Sequence, residues 1–300
     1  MLTQRGDVMR KNKTFVALFL AVILPLGACT TYKGIAEYQT YRSAYEKAYA
    51  VGSQILDLLA VAERESFHFL NPEAARAPVR PFEPGDSAFY SDNVDPPDTA
   101  AFQRSLDVVK TYNDLLYGLA SGESAASMTA KLGDFGAKVK AAGKETAGLL
   151  GTPGAAAVVS TIDASLRSLL PFIELGLRYR SRSEFRKFLV NSYDDVAKIL
   201  GALKSGTAVI FPVLTLGIER KAFPRSFSAD QIKKISEYRK LLSDWVLLLD
   251  ASEKALDTAV ASLRTPATLD SVLGGLTASA VEIELIAKSA SKHVAQAATS

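Results

Sequence analysis

Beyond about residue 38, apolar residues recur three and four positions apart, the spacing that lines one face of an α-helix. The first segment places Tyr41, Tyr45, Ala48, Gly52, Ile55, Leu59 and Ala62 on one stripe after Tyr38. A second carries Phe102, Val109, Tyr112, Leu116 and Leu119. A third runs through Met128, Leu132, Phe135, Val139, Ala142 and Leu149 to the turn sequence Gly151-Thr152-Pro153-Gly154. The fourth shows Ile162, Leu166, Leu169, Ile173 and Leu177, and Pro171 is expected to kink it. Its register does not continue into Phe185, Leu189, Ser192, Val196, Ile199 and Leu203, which predicts a break near Ser181–Ser183. Ser228 and Gln231 form a capping-box pattern before the clearest helix, which runs from Ile235 through Trp245 to Leu263 and stops at Thr265-Pro266. Leu269, Val272, Leu276, Ile283, Ile286 and Ala290 mark the last.

No alternating apolar run bounded by turn residues stands out, so no sheet is expected. The pattern predicts an all-α chain, an elongated antiparallel helical bundle of about six or seven helices in a single domain over residues 29–300. Seams that mix Ala, Gly and Ser with large residues favour close packing. One stretch interrupts the pattern. Residues 66–98 hold Pro72, Pro78, Pro81, Pro84, Pro96 and Pro97, half of the 12 prolines, with six acidic and two basic side chains. Helix is not expected through such spacing, and the stretch reads as one long Pro-rich acidic loop. Its aromatics, Phe67, Phe69, Phe82, Phe89 and Tyr90, favour a loop draped on the bundle over a free linker.

The amino terminus follows a different logic. Arg10, Lys11 and Lys13 precede an apolar run from Phe15 to Leu24, which is too short to span a bilayer and suits a secretory signal. Leu26-Gly27-Ala28-Cys29 follows directly, and it resembles the lipobox of bacterial lipoproteins. The resemblance implies that residues 1–28 are a lipoprotein signal peptide and that the Cys29 thiol takes a diacylglycerol thioether. Cleavage before Cys29 then frees an amine for a further acyl chain such as palmitate, and two or more chains anchor a protein stably. The same signal reads well from Met9. Thr30, where an Asp favours retention at the inner membrane in enterobacterial lipoproteins, points to the periplasmic face of the outer membrane.

Removing that signal changes the electrostatics. The whole chain has 35 basic and 32 acidic residues. Residues 1–28 carry Arg5, Arg10, Lys11, Lys13 and Asp7, so 31 of each sign remain. A neutral mature chain gives a nucleic-acid role no support. A single cysteine excludes a disulfide framework, and two histidines argue against a Cys/His zinc site. Neither metal nor cofactor is expected.

Candidate chemistry is sparse. Ser91-Asp92-Asn93, Lys204-Ser205-Gly206 and Ser289-Ala290-Ser291-Lys292 mimic the acyl-enzyme motifs of penicillin-binding proteins and β-lactamases. The nucleophile motif stands last instead of first, and the Lys-Thr-Gly element needs a strand, so the likeness is rejected. Gly143-Lys144 lacks the rest of a P-loop. His68 and His293 have no ligand-spaced partner, and Asp194-Asp195 on a helix faces two directions. The Tyr38, Tyr41, Tyr45 and Tyr49 stripe reads as bundle core, with the lipid headgroup level as the alternative.

Two further features bear on partners. Arg178, Arg180, Arg182, Arg186 and Lys187 form the densest basic cluster, either a solvated corner or a contact for anionic headgroups or an acidic partner. Ser205 to Ile218 is uncharged over 14 residues, read as buried core with a membrane-active segment as the alternative. The expected role is therefore non-enzymatic: a bundle fastened to a lipid bilayer through Cys29, with a structural or interaction task towards an envelope protein partner. The alternative is a pore-type or membrane-remodelling protein that deploys residues 205–218.

Overall fold

The computed structural model describes residues 35–70, 82–142, 155–179, 181–264 and 269–299. The signal peptide, Cys29, Thr30, Gly143-Lys144, the 151–154 turn, Arg180 and Thr265-Pro266 lie outside the described residues. The described chain is all-α, with no strand among those residues. Eight α-helices are present among the described residues: α1 (Ile35–Leu70), α2 (Ser87–Tyr90), α3 (Pro97–Ser121), α4 (Ala125–Ala142), α5 (Ala155–Gly176), α6 (Arg182–Ala222), α7 (Ala229–Arg264) and α8 (Leu269–Thr299). Seven are long. The eighth, α2, has four residues and follows a 3-10 turn at Pro84–Asp86.

The helix boundaries have local causes. Ser181 accepts from the Glu184 backbone N–H while the Glu184 carboxylate accepts from that of Ser181, so a full capping box starts α6. This is the break expected at 181–183. Ser228 and Gln231 make the same reciprocal pair ahead of α7, at 2.9 and 3.2 Å. Gly122, in the left-handed conformation at φ 82°, ends α3. Pro97 opens α3 at a position where a missing N–H costs nothing. Pro171 and Pro212 sit inside α5 and α6. Both are exposed, as are Arg167 and Ala208, whose carbonyls lose a helical donor to the rings, so water can replace it.

The Pro-rich stretch corrects the sequence reading at both margins. The loop expected over 66–98 is shorter, because α1 continues to Leu70, just ahead of the first proline, and Pro97 belongs to α3. Phe67 gives the physical reason: it is buried and stacks face to face on Phe89 of α2, with ring centroids 4.0 Å apart and planes 4° from parallel. The aromatics dock the described part of the stretch, residues 82–96, onto the end of α1.

Each long helix reverses the direction of the one before. Tyr41 meets Asn113 while Glu63 meets Asp98, which sets α3 against α1 in the opposite sense. The same reversal follows for α4 on α3, α5 on α4, and α7 on α6. Lys47–Glu284 and Asp244–His293 place α8 against both α1 and α7 and close a ring of helices. Inside the ring α6 touches α1 and α3. The closest approaches need glycine. A Cβ on Gly52 would lie 2.6 Å from the Trp245 ring, and one on Gly206 would lie 2.3 Å from Phe102. One continuous core results, with Trp245, Tyr112, Phe135, Phe185 and Phe188 as its largest fully buried side chains.

The apolar run Ser205–Ile218 is part of this core. Val209, Ile210, Val213 and Leu214 are buried, and Arg239 of α7 covers the Phe211 ring at 5.2 Å. By length and composition alone α6 is the one helix among the described residues that would be able to cross a membrane.

Candidate functional site

The bundle has two ends with different chemistry. The N-terminal end gathers the start of α1, the close of α3, α5 and α7, and the start of α4 and α6. Tyrosine hydroxyls bind these helices together. Tyr38 donates to the Ala259 carbonyl at 2.9 Å and is bonded to Ser262. Tyr41 donates to Asn113 Oδ1 at 2.8 Å, and Tyr112 donates to the Leu189 carbonyl. Tyr38, Tyr41 and Tyr45 are buried and Tyr49 half-buried, which is the core reading of the stripe. Burial pushes the hydroxyls of Tyr38, Tyr41, Tyr45 and Tyr112 above their ordinary range. Tyr49 and Tyr193 rise to about 12, through burial and then through the neighbouring carboxylates of Asp107 and Asp257. Tyr49 donates to Asp107 Oδ1, and the Tyr193 hydroxyl is bonded to Asp257.

Charge collects on the outside of the same end. Arg178 is exposed in the turn after α5, and Arg186 and Lys187 are exposed in the first turns of α6. Arg182 opens α6, but its side chain, like Arg180, is outside the described residues. The first turn of α1 is tied to this end by Tyr38, which is bonded to Ala259 and Ser262 near the close of α7. Two features were not anticipated from the sequence. Arg264, exposed at the close of α7, lies over the Tyr193 ring at 5.6 Å, two turns along α6 from Arg186. Leu175 and Leu177, at the close of α5, are 53% and 39% exposed. The signal available for Arg264 was its place just before Thr265-Pro266, which fixes it at a helix end.

The distal end is organised by one carboxylate. Glu63 of α1 is fully buried and accepts from the backbone N–H of Asp98 at 3.0 Å and of Thr99 at 2.9 Å, and from Thr99 Oγ1 at 2.9 Å. It thereby caps α3 from another helix and faces the positive end of that helix dipole. Burial raises its pKa, while the three donors oppose the rise. Phe69, Phe82, Tyr90, Val94 and Phe223 are exposed on elements at this end, and His68 packs edge-on against Tyr90 at 5.0 Å.

The remaining candidates are dispersed. Ser91 caps the C-terminus of α2, Lys204 lies on α6 and Ser289 is exposed on α8. The Lys204 amine is tied to Asp250 at 2.6 Å, which raises its pKa and opposes any use as a neutral base. His293 Nδ1 meets Asp244 at 2.8 Å. Asp194 is exposed whereas Asp195 is buried and pairs with Lys198 at 3.1 Å. Among the described residues no three His, Cys, Asp or Glu side chains converge on a point where a metal ion would sit. Among the described residues an open groove of about 500 Å³ lies between α1 and α8 and includes Gln54, Val281 and Leu285, and another of about 410 Å³ lies between α5 and α6 with Ser165, Ser168 and Asp195. Comparison of the chain with protein families, with curated proteins and with solved structures finds no match.

Proposed function

We propose that the chain is a bacterial lipoprotein whose helical body stands beside the outer membrane and serves a structural or interaction role there, without catalysis. The observation that carries this reading is Leu26-Gly27-Ala28-Cys29 directly after a basic segment and a ten-residue apolar run. Acyl chains on Cys29 would fasten the body to the bilayer. The mature chain is electrically neutral, and Glu63, Lys204 and His293 are each engaged in a helix-to-helix contact. The partner in this reading is an envelope protein.

Metabolic labelling with radioactive palmitate tests it. Label is expected on the unaltered chain and not on Cys29→Ala, and the mature product is expected to begin at residue 29. An unlabelled wild-type chain, or one that keeps residues 1–28, overturns the reading. Sucrose-gradient fractionation then separates outer from inner membrane.

A second reading, a membrane-active protein deploying residues 205–218, is favoured by the length and apolar composition of α6. Burial of Val209, Ile210, Val213 and Leu214 weighs against it, since deployment would first have to tear α6 from α1, α3, α5 and α7. Dye leakage from liposomes exposed to the unacylated mature chain is expected to be absent; leakage would favour this second reading.

A further inference from the structure

We infer that the N-terminal end of the bundle is a headgroup-binding face, on which Arg178, Arg186, Lys187 and Arg264 engage the phosphates of anionic phospholipids. The inference rests on the lipid attachment proposed for Cys29 and adds where and how the body touches that bilayer. Its first support is juxtaposition. Cys29 precedes the first described helical residue, Ile35, by six positions. Covalent geometry alone keeps the sulfur within about 25 Å of that helix start, whatever path the chain takes. The basic side chains stand at the same end: Tyr38 of α1 is bonded to Ala259 and Ser262 near the close of α7, and Arg264 at that close lies over Tyr193 of α6. An acylated Cys29 would therefore hold this end, and no other, against the headgroups.

The second support is the balance of charge and apolar surface. Residues 174–187 carry five basic side chains against Glu174 and Glu184. Glu184 is committed to the Ser181 cap, and of the other carboxylates at this end Glu123 is bound by Lys131 at 2.5 Å. Among the described side chains Glu174 is exposed, Glu37 half-buried and Asp257 bonded to Tyr193, so the positive groups outnumber the free negative ones. Exposed Leu175 and Leu177 lie beside them and suit the headgroup–acyl boundary. The distal end offers no such imbalance. There Arg220, Lys221, Arg225 and Lys233 share the surface with Glu65, Glu83, Asp86, Asp92 and Asp95.

The test uses the mature chain, residues 29–300, exported behind a cleavable leader with Cys29→Ser, so that no acyl chain contributes. It contains every described helix. Flotation with vesicles of phosphatidylglycerol and phosphatidylethanolamine is compared with flotation on phosphatidylcholine alone. Binding is expected on the anionic vesicles only and is expected to fall with added salt. Each neutralised basic residue is worth roughly 5-fold near an anionic surface, so Arg178→Gln with Arg186→Gln and Lys187→Gln should weaken binding by about 100-fold. A distal triple variant, Lys221→Gln with Arg225→Gln and Lys233→Gln, should change it less than about 2-fold, because these groups stand away from the surface. Circular dichroism establishes that both variants keep their helices. Absence of binding, equal binding to phosphatidylcholine, or equal loss in the two variants overturns the inference. Palmitate labelling of the unaltered chain reports on Cys29 alone, so failure of the anchor and failure of this face are read separately.

Discussion

At the distal end a single fully buried carboxylate, Glu63, collects three donors from the first turn of α3. At the N-terminal end the helices are joined by neutral hydroxyls, each making its own bond: Tyr38 to α7, Tyr41 to α3, Tyr112 to α6. The first arrangement concentrates stability in one ionisable group. The second spreads it over several groups that stay uncharged across the ordinary pH range. The outer surfaces differ in the same way, with basic residues clustered beside α1 and α6 at one end and mixed charges with exposed aromatics at the other.

The sharpest way to break this contrast is Glu63→Ala. It removes charge-assisted bonds and leaves the Asp98 and Thr99 N–H groups buried without an acceptor, for a cost of about 3 kcal/mol or more. The urea midpoint should fall accordingly. Glu63→Gln sharpens the point through pH. The folded-state pKa of Glu63 is raised above its ordinary 4.5, chiefly by burial. The folded chain therefore holds a proton that the unfolded chain has released, and the stability this contributes is full below 4.5 and lost as pH rises through the folded value. The destabilisation caused by Glu63→Gln should accordingly be larger at pH 4.5 than at pH 8. An equal cost at both would mean that the carboxylate titrates alike in the folded and unfolded chains.

Tyr41→Phe probes the other end and should cost less, about 1–2 kcal/mol. It deletes one neutral bond but leaves Asn113 Oδ1 buried without its donor, beside an Nδ2 that already has no partner. Here the pH effect appears on the alkaline side. Tyr49 and Tyr193 hold their protons to about 12, and Tyr41 and Tyr112 are also raised, above the ordinary value of 10. The stability they contribute is full below pH 10 and declines above it, as tyrosines of the unfolded chain ionise first. Tyrosinate absorbance near 295 nm, followed with helical circular dichroism between pH 9 and 12, should show ionisation and loss of helix together. Ionisation of all tyrosines well before helix is lost would contradict the buried network.

How far the sequence disclosed these two ends depends on the range of the interactions. Local signals were legible: the Ser228–Gln231 cap, the break at Ser181–Ser183 and the spacing of Tyr38, Tyr41 and Tyr45 depend on residues a few positions apart. The Ser181–Glu184 box carried the same signal as Ser228–Gln231, although only the break it causes was read. The Pro-rich stretch was drawn too long at both margins because proline spacing reports where helix is barred, not where packing extends it; Phe67 on Phe89 decided the first margin. Glu63 left no local trace. Its role exists only once α1 and α3 lie side by side, 35 residues apart in sequence, and Pro96-Pro97 was the one hint of a helix start needing an acceptor. The basic cluster was visible as a run, but Arg264 joins it only through the reversal of α7 against α6.

The smallest expected effect lies between the two ends, where Lys47 of α1 meets Glu284 of α8 at 2.6 Å. The pair is short, links two long helices, and sits beside the groove that contains Val281 and Leu285. Distance alone would rank it with the Glu63 contacts. Solvent reverses the ranking: both side chains are about half exposed, so water screens their attraction and ordering two long side chains offsets most of the remainder. Lys47→Ala should therefore change stability by less than about 0.5 kcal/mol, within a few tenths of a molar in the urea midpoint. A double-mutant cycle with Glu284→Ala isolates the pair itself. A coupling several times larger would mean that α8 is held to α1 by charge and not by the buried Leu276, Ile283 and Ala287 on its inner face, and the middle of the bundle would then resemble the distal end.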